Sequence, residues 1–296
     1  MIILEGKKLS AALHLDSAEE VLREIPENSV DLIITSPPYF VGKEYDTSKS
    51  WDDFRMEIAR TAPFMVKSLK QGGSLCWQVG NHVQNGELTP LDALLTVDMK
   101  SFPELTLRNR IIWTFGHGTH SSKKFSGRHE TILWYTKGDN YHFNLDVFRV
   151  PQKYPGKRHY KGPNKGKLSG NPLGKNPGDL WDLGAIWDIP NVKAKHIEKT
   201  GHPCQFPTAL VRRLISGLVP DNGVVMDPYM GSGSAGVAAL IENKNFIGSD
   251  ISEFYYEIAQ KRIQSTIDDT IKVREDKPIR EPKPNEKVAQ RPAHFI

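Results

Sequence analysis

The stretch Val30–Thr35 is a mostly apolar, β-branched run that continues directly into Ser36-Pro37-Pro38-Tyr39. Such a run is typical of a buried strand. Two consecutive prolines cannot donate hydrogen bonds to a sheet and fix φ, so the strand must end at Ser36 and the chain must leave as a stiff, extended turn. Ligands of open α/β sheets bind at the carboxyl ends of strands. A turn that carries a hydroxyl, a bare carbonyl and an aromatic ring can therefore offer two acceptors and a stacking face to a flat, amine-bearing ring.

Strands and helices alternate along the first half of the chain, which predicts an α/β sheet rather than a sandwich. The predicted strands are residues 11–15, 30–35, 74–79, 110–115, 131–136, 224–227 and 246–250. The predicted helices are residues 18–25, 51–69, 90–97, 208–218 and 252–267, with a further helix that ends at Ile241. Pro63 predicts a kink in the second helix, and segment 71–73 its end. Trp77, Trp113 and Trp134 fall on strands and are predicted to lie in the core.

Composition narrows the class of protein. A chain of 296 residues with 38% hydrophobic and 25% charged residues predicts a soluble globular protein, with one large domain or one domain and an insertion. No apolar run is long enough for a membrane span, and the first eight residues are too few and too charged for a signal peptide. Two cysteines, Cys76 and Cys204, give no disulfide framework, which favours the cytoplasm. The net charge of +4 permits nucleic acid as a partner without demanding it.

A second motif, Asp227-Pro228-Tyr229-Met230-Gly231-Ser232-Gly233, follows the predicted strand 224–227. Together with Gly236 it satisfies G-x-G-x-x-G, and Asp250 ends the next strand, where a ribose-binding acid belongs. A nicotinamide dehydrogenase is therefore one alternative. Against it, Asp227 would lie badly near a pyrophosphate but well beside the ammonium group of an amino acid. Only one predicted helix follows Asp250, so the remaining strands must come from the first half, in a circularly permuted sheet.

Three motifs in this order resemble those of DNA methyltransferases that modify exocyclic amino groups. Ser36-Pro37-Pro38-Tyr39 is similar to the family's (D/N/S)-P-P-(Y/F/W), and the glycine motif to D-P-F-x-G-S-G-(S/T), with Tyr229 in place of Phe. Residues 200–207 resemble TGHPTQKP, with Cys204 and Phe206 in place of Thr and Lys. The resemblance spans residues 13–267. It implies a Rossmann-like, seven-stranded α/β methyltransferase sheet with helices on both faces, in the circularly permuted order of the β group.

The resemblance also implies a cofactor, S-adenosylmethionine, and a set of site residues. The residues expected to act in catalysis are Ser36, Pro37, Pro38 and Tyr39. The residues expected to bind the cofactor are Asp16, Thr200, His202, Pro203, Phe206, Asp227, Pro228, Tyr229, Gly231, Gly233 and Asp250.

Two of these segments admit other interpretations. Asp16 follows a predicted strand, where its carboxylate could accept a hydrogen bond from the cofactor. Asp16-Ser17 is also predicted to cap the following helix, so Asp16 could be an N-cap alone, although the two roles are compatible. Cys204 lies in Pro203-Cys204-Gln205, which is similar to the nucleophile of cytosine ring-carbon methyltransferases. Ser-Pro-Pro-Tyr has no role in that chemistry, which counts against a nucleophilic cysteine.

Two basic segments are candidates for contact with DNA. The polar loop 116–124 and the residue Arg128 supply Lys123, Lys124 and Arg128 as candidate phosphate contacts. Its two histidines, His117 and His120, lack a third ligand nearby, so no metal is expected. Segment 151–178 is rich in Pro, Gly and Asn and contains no acidic residue. Its candidate DNA contacts are Lys153, Lys157, Arg158, Lys161, Lys165 and Lys167.

A solvated linker is the alternative for segment 151–178. The resemblance places a target-recognition region there, which divides the chain into a catalytic and cofactor-binding domain (1–140 and 196–270), a recognition region (141–195) and a tail (271–296).

These expectations combine into a DNA methyltransferase of a restriction-modification system that acts on a base flipped out of double-stranded DNA. Ser at the first motif position resembles the enzymes that methylate cytosine N4, whereas Asp is usual for adenine N6, which stays the alternative. A dehydrogenase and a non-catalytic DNA-binding module are the other candidates. A restriction endonuclease that acts separately, and either a monomer or a homodimer, are compatible with the sequence.

Overall fold

The computed structural model describes residues 1–6, 9–38, 51–115, 120–182, 188–193 and 195–274. Within these residues the chain forms a nine-stranded sheet in the order β1-β2-β11-β10-β3-β4-β8-β7-β9 and a separate hairpin, β5-β6. The strands are β1 (Ile2–Glu5), β2 (Ser10–Leu15), β3 (Val30–Thr35), β4 (Leu69–Val79), β5 (Asn81–Gln84), β6 (Glu87–Pro90), β7 (Leu105–Thr114), β8 (His129–Lys137), β9 (Leu180–Trp181), β10 (Val224–Asp227) and β11 (Asn245–Asp250).

The helices are α1 (Ala18–Glu24), α2 (Trp51–Ser68), α3 (Leu91–Asp98), α4 (Thr208–Leu218), α5 (Ser234–Ile241) and α6 (Glu253–Ile267). They cover both faces of the sheet. Buried side chains of α1, α2 and α3 belong to one hydrophobic core, and those of α4, α5 and α6 to the other. This three-layer α/β arrangement confirms the predicted fold class. No helix in the described part of the chain is long and apolar enough to cross a membrane.

The seven predicted strands form the inner part of the sheet, and the structure adds a short strand at each edge. Strand β1 pairs antiparallel with β2 over four residue pairs, and β9 pairs parallel with β7 over two. The strands from β2 to β4 run parallel, whereas β8 is antiparallel to both of its neighbours. The sheet therefore has nine strands instead of the predicted seven because of these two edge strands. Each is too short for an alternation of apolar and polar residues to be recognised in the sequence.

The strand order is circularly permuted, as predicted. Strands β10 and β11 come last in the chain but lie in the middle of the sheet, between β3 and β2. From β10 the chain proceeds through α5 to β11 on one side, and from β3 through α2 to β4 on the other. The carboxyl ends of β3 and β10 therefore flank a topological switch point, the position where open α/β sheets bind ligands.

Strand β4 begins earlier than expected. Residues 71–73 were predicted to close α2, but α2 ends at Ser68 and β4 starts at the next residue. Val30 pairs with Leu69 and Leu32 with Ser74, so residues 70–73 form a bulge inside the strand. Gly72 has a φ of +82°, and a Cβ there would lie 2.3 Å from a backbone oxygen. The glycine pair thus serves a bulge rather than a helix end.

The three tryptophans lie in the core as predicted. Trp77, Trp113 and Trp134 are each exposed by 5% or less. The three side chains divide between the two faces of the sheet. Trp77 packs in the core that includes α1, α2 and α3, whereas Trp113 and Trp134 pack in the core on the opposite face. The indole rings of Trp77 and Trp134 therefore stabilise the sheet, whereas Trp113 is both part of the core and one of the residues that line a cavity described below.

Segment 151–178 lies on the surface, and both of its ends return to the body of the protein. Val150 and Lys175 form a bridge at its base, and the basic side chains between them are exposed. Phe148 and Trp181, which flank it, are buried in the same core as α4. The predicted recognition region 141–195 therefore contributes core residues at both ends. At the start of the predicted tail, the Arg274 backbone N–H donates to Glu198 over 3.0 Å; residues 275–296 lie outside the described chain.

Candidate active site

The two predicted motifs meet at the carboxyl rim of the sheet. Ser36 follows β3 and Asp227 ends β10, and these two strands pair in parallel. The Thr35 hydroxyl donates a hydrogen bond of 2.8 Å to the buried Asp227 carboxylate, which joins the ends of the two strands directly. The proline turn and the glycine loop thus lie side by side. Tyr39, the last residue of the first motif, lies outside the described residues.

A cavity of about 480 Å³ lies between the two loops, a volume typical of small-molecule sites. Its lining combines carboxyl and hydroxyl groups with aromatic and aliphatic side chains. The lining residues are Ser36, Pro37, Pro38, His202, Cys204, Phe206, Asp227, Tyr229, Met230, Ser232, Ser234, Asp250, Ile251, Ser252, Phe254 and Tyr255.

Two carboxyl groups in this cavity have raised pKa values. Burial raises the pKa of Asp227 from 3.8 to about 7, although hydrogen bonds from Thr35 and the Tyr229 backbone N–H favour its ionised form. Burial also raises the pKa of Asp250, which accepts hydrogen bonds of 2.9 Å from the Gly231 N–H and 2.8 Å from the Ser252 N–H. The negative charge of Asp250 further raises the pKa of Asp227. A cationic ligand group would relieve this electrostatic cost.

The glycine loop is held by α6 and by the segment around His202. Gly233 has a φ of +74° at the start of α5, and a Cβ there would lie 2.8 Å from Ala259 of α6. A Cβ at Gly231, with a φ of +49°, would lie 2.9 Å from the His202 ring. Arg262 of α6 donates to the Ser232 carbonyl over 2.6 Å. Glycine is therefore required at both positions by backbone conformation and by close packing.

Residues 198–208 form a compact, internally hydrogen-bonded segment over the cavity. The Gln205 side chain accepts from the Thr200 backbone N–H and hydroxyl over 3.2 and 3.0 Å, and it donates to the Glu198 carbonyl over 2.7 Å. Buried Glu198 in turn accepts from Thr208 at the start of α4, over 2.6 Å to the hydroxyl. This network projects His202 into the cavity, where desolvation lowers its pKa to about 4. His202 is therefore neutral at physiological pH.

The structure brings some of the predicted cofactor residues to the cavity wall and leaves others behind it. His202, Phe206, Asp227, Tyr229 and Asp250 line the cavity. The Tyr229 hydroxyl points away from the cavity and donates a hydrogen bond of 2.8 Å to the Glu57 carboxylate of α2. The remaining predicted residues do not line this cavity. The Thr200 hydroxyl accepts a hydrogen bond from the His202 N–H, the Pro228 carbonyl accepts one from Ser249, and the Gly231 N–H donates one to Asp250. Gly233 packs against α6, and Pro203 lines a neighbouring cavity.

Asp16 lies at the same rim but outside the cavity wall. Its backbone N–H donates to the Asp250 carbonyl over 3.1 Å, and its carboxylate accepts from the Ser17 N–H over 2.7 Å. The alternative role as a helix cap is wrong, because the N-cap of α1 is Ser17, whose hydroxyl accepts from the Glu20 N–H. Asp16 is thus one residue too early to cap the helix, and its role toward the cofactor stays a prediction.

A second cavity, of about 410 Å³, adjoins the first. Ser36, Cys204 and Phe206 line both, so these three side chains form the junction between them. The other residues that line the second cavity are Gln78, Trp113, Glu130, Asn191, Val192, Lys193, Lys199, Pro203 and Gln205.

The sequence analysis missed several residues of both cavities. Phe254 and Tyr255 could have been found from the sequence. They are two adjacent aromatic residues at the start of a helix, and they follow Asp250, an acidic residue that ends a strand where ligands bind. Glu130 had a weaker signal, as an acid at the start of an otherwise apolar strand. Gln78 had no local signal, because its importance arises from its neighbours on other strands.

Most of the predicted DNA contacts are exposed basic side chains, whereas Arg128 is half-buried. Lys123 and Lys124 lie on the loop that leaves the rim after β7, and the six basic residues of segment 151–178 are exposed. In the described chain, the five lysines among those six form no ion pair with a carboxylate. Their charge is thus available for phosphate groups. His117 lies outside the described residues, and no group of three metal-ligating side chains occurs among those described.

The first cavity fits S-adenosylmethionine chemically. Buried Asp227 and half-buried Asp250 offer carboxylates to an ammonium group and to ribose hydroxyls, and the glycine loop lets the backbone approach the ligand. The rings of Phe206, Phe254 and Tyr255 offer apolar faces to an adenine. A neutral His202 adds no positive charge that would repel a sulfonium. The donor set thus matches an amino acid joined to a nucleoside.

Comparison with known proteins identifies the family of the chain. A family model described as "DNA methylase", which covers N6- and N4-directed enzymes, matches residues 30–261. The Type II methyltransferase M.BglII of Bacillus subtilis is 42% identical over 253 residues, which cover 84% of this chain and 68% of that protein.

Two solved structures share the fold. The PvuII DNA methyltransferase, described as cytosine-N4-specific, has a TM-score of 0.67 at 18% identity, over 88% of this chain and 90% of that one. TTHA0409 of Thermus thermophilus, crystallised with S-adenosyl-L-methionine, has a TM-score of 0.59 at 25% identity, over 87% of this chain and 96% of that one. The chain therefore belongs to the N6- and N4-directed DNA methylases, which use S-adenosylmethionine as the methyl donor.

Proposed function

We propose that the protein methylates the N4 amine of a cytosine flipped out of double-stranded DNA, within a restriction-modification system. The observation that carries this proposal is the position of Ser36, which lines both cavities. A donor in the first cavity and a base in the second would meet at this residue. The naming of similar proteins such as M.BglII as Type II methyltransferases supports the restriction-modification setting.

The proline turn prepares the amine for attack. An exocyclic amine is a weak nucleophile because its lone pair is delocalised into the ring. The Ser36 hydroxyl and the Pro37 carbonyl accept hydrogen bonds from the two N–H groups of the amine. This arrangement favours a tetrahedral nitrogen and frees the lone pair. S-adenosylmethionine supplies an electrophilic methyl group when it is bound. Pro38 stiffens the turn and Tyr39 stacks on the base, so orientation rather than a covalent intermediate supplies most of the rate.

Residues of the first cavity hold the donor. Asp227 pairs with its ammonium group, Asp250 accepts from its ribose hydroxyls, and Phe206 packs on its apolar part. Asp16 and the segment that includes Thr200, His202 and Pro203 complete this binding site, and Gly231 and Gly233 allow the loop to approach the ligand. Pro228 and Tyr229 fix the loop between them.

Cytosine is favoured over adenine because the first motif position is Ser36 rather than an aspartate. A hydroxyl and a carboxylate can both accept from either amine, so adenine N6 is the second candidate. DNA is held by the basic surface of segment 151–178 with Lys123, Lys124 and Arg128, whose contacts with phosphates are independent of sequence.

The test is transfer of a tritiated methyl group from labelled S-adenosylmethionine to mixed-sequence duplex DNA, followed by mass spectrometry of the nucleosides. The product expected is N4-methylcytosine; N6-methyladenine would establish the second candidate. Ser36→Ala and Tyr39→Ala should abolish transfer yet leave the Kd for S-adenosylmethionine unchanged, whereas Ser265→Ala, on the exposed side of α6, should retain full activity. Normal transfer by Ser36→Ala would overturn the mechanism.

A further inference from the structure

The second cavity contains a pair of polar side chains that the mechanism above does not use. Gln78 lies close to the carboxyl end of β4 and is 4% exposed. Its side-chain amide donates a hydrogen bond to the carboxyl group of Glu130, the second residue of β8. Both side chains line the cavity. Glu130 is half-buried. An amide and a carboxyl group that face a cavity can form specific hydrogen bonds to a ligand.

Strand register places this pair next to Ser36. Thr35 of β3 pairs with Trp77 of β4, so the residues that follow them, Ser36 and Gln78, are neighbours across the two strands. Gln78 pairs with Ile132 of β8, which lies two residues from Glu130 and thus on the same face. Ser36, Gln78 and Glu130 therefore project from three adjacent strands to the same face of the sheet, at the rim where the target amine is held.

The surroundings of Glu130 favour its acid form. Desolvation raises the pKa of Glu130 to about 7, although the hydrogen bond from Gln78 favours the carboxylate. The titratable groups that line the same cavity are Lys193, Lys199 and Cys204. On the β7 side Glu130 pairs with Trp113, an uncharged residue whose indole N–H donates to the Ile189 carbonyl over 2.9 Å. Glu130 can therefore carry a proton near neutral pH and donate it in a hydrogen bond.

We propose that Glu130, oriented by Gln78, is the residue that positions the target base, by donating a hydrogen bond to the bare ring nitrogen beside the amine that Ser36 holds. Cytosine N3 and adenine N1 both present this edge, an unprotonated ring nitrogen next to a carbon that bears an amine. An ionised carboxylate only accepts hydrogen bonds and would repel that nitrogen's lone pair. Thymine carries no amine and presents an N–H at the corresponding position, so it is rejected.

This inference rests on the proposed function, and it adds a substrate contact that Ser36 does not make. Ser36 and Pro37 recognise only the amine hydrogens, which every amine-bearing base possesses. Glu130 adds recognition of the ring atom beside the amine, so that the two contacts together fix the base in one orientation. A base held at two points presents its nitrogen in line with the methyl group.

The first experiment compares Glu130→Gln and Glu130→Ala with the wild type in methyl transfer to phage DNA, at saturating S-adenosylmethionine. In the wild type, kcat/KM for DNA should fall by about tenfold per pH unit above pH 7, as Glu130 ionises. Glu130→Gln retains an N–H donor and should keep substantial activity without that decline. Glu130→Ala should be about 10- to 100-fold less active than the wild type below pH 7, and it should show no decline above pH 7.

Controls separate this inference from the proposed function. The Kd for S-adenosylmethionine should be the same in all three proteins, because Glu130 does not line the first cavity. The control variant Glu242→Ala removes a different glutamate, which is partly buried and paired with Arg212. It should leave kcat/KM unchanged. An inactive wild type would contradict the proposed function. An active wild type whose decline above pH 7 persists in Glu130→Gln would overturn the role of Glu130 alone.

The second experiment removes the ring nitrogen instead of the carboxyl group. After the methylated base and its sequence context have been mapped, duplexes carrying 3-deazacytosine or 1-deazaadenine at the target replace that nitrogen by C–H. Wild-type kcat/KM should fall by about 10- to 100-fold on the analogue of the natural base, whereas Glu130→Ala should show little further loss. Equal losses in both proteins would show that Glu130 does not contact the ring nitrogen.

Discussion

Thr35 donates a hydrogen bond of 2.8 Å to Asp227, although 192 positions separate the two residues in the chain. The bond fixes the end of β3 against the end of β10, and thereby the proline turn against the glycine loop. It also favours the ionised form of Asp227, which burial disfavours. Thr35 thus both aligns the two loops and favours a negative charge on Asp227 in the first cavity.

Replacing Thr35 by valine should weaken S-adenosylmethionine binding about tenfold, since a hydrogen bond to a charged group contributes about 1.5 kcal/mol. The reason is that the pKa of Asp227 rises further, which leaves less carboxylate for the ammonium group. Isothermal titration calorimetry gives the Kd. Thr266→Val is the matched control, because Thr266 is also buried and donates only to a backbone carbonyl of its own helix. An unchanged Kd in Thr35→Val would contradict this role.

Binding of S-adenosylmethionine should strengthen as pH rises toward 7. Without a ligand, the pKa of Asp227 is about 7, and a bound ammonium group requires the carboxylate. Below that pKa, each pH unit should weaken binding by up to about tenfold, because a proton must first be released. Kd values between about pH 5.5 and 7.5 test this linkage. Asp227→Asn should bind weakly with little pH dependence; a steep dependence in that variant would assign the proton to another group.

The raised pKa values of Asp227 and Glu130 should make the cofactor-free protein less stable as pH increases. Asp227 and Glu130 have folded pKa values of about 7, against ordinary values of 3.8 and 4.5. The folded state therefore binds their protons more tightly, and this stabilisation is complete below about pH 4 and lost as pH rises through 7. Urea unfolding at several pH values measures the decline. The double variant Asp227→Asn with Glu130→Gln should show a flatter profile, and an equally steep decline would contradict the assignment.

Three glycines with positive φ should respond differently to alanine. Gly233→Ala should lower the free energy of unfolding by about 2–4 kcal/mol, because the new Cβ would strain the backbone and collide with α6. Gly86→Ala, with a φ of +88° and open space around it, should cost about 1 kcal/mol from backbone strain alone. Gly231→Ala should mainly displace His202 and weaken cofactor binding. Equal destabilisation by Gly233→Ala and Gly86→Ala would show that the contact with α6 is easily relieved.

Neutralising basic residues of segment 151–178 should weaken DNA binding and reduce its dependence on salt. The triple variant Lys157→Gln, Arg158→Gln and Lys161→Gln should decrease the slope of log Kd against log salt by about 2–3, at about 0.9 per phosphate contact. Fluorescence anisotropy with a labelled duplex measures the slope. A control variant neutralises three exposed cations on helices, namely Arg23, Lys67 and Lys261, and should leave the slope unchanged. If both variants changed it equally, segment 151–178 would be ordinary charged surface.

The sequence alone determined the local elements and the chemistry of the two loops. Hydrophobic period and turn residues act over a few positions, so β3, α4 and β10 could be predicted with their observed bounds, as could the end of β3 at Ser36. The permuted order followed from counting the strands before and after the glycine loop. The bulge at residues 70–73 was missed, because it depends on how β4 pairs with β3.

Only the tertiary structure decided which side chains share a cavity. Glu130 and Gln78 occupy strands that look like ordinary core segments in the sequence, and they face Ser36 because β3, β4 and β8 pair in one particular register. A shift of one residue would turn either side chain to the opposite face of the sheet. The raised pKa values likewise depend on burial, which arises only when distant segments pack together. Local sequence therefore specified the proline turn and the glycine loop, whereas long-range packing formed the two cavities that Ser36 lines.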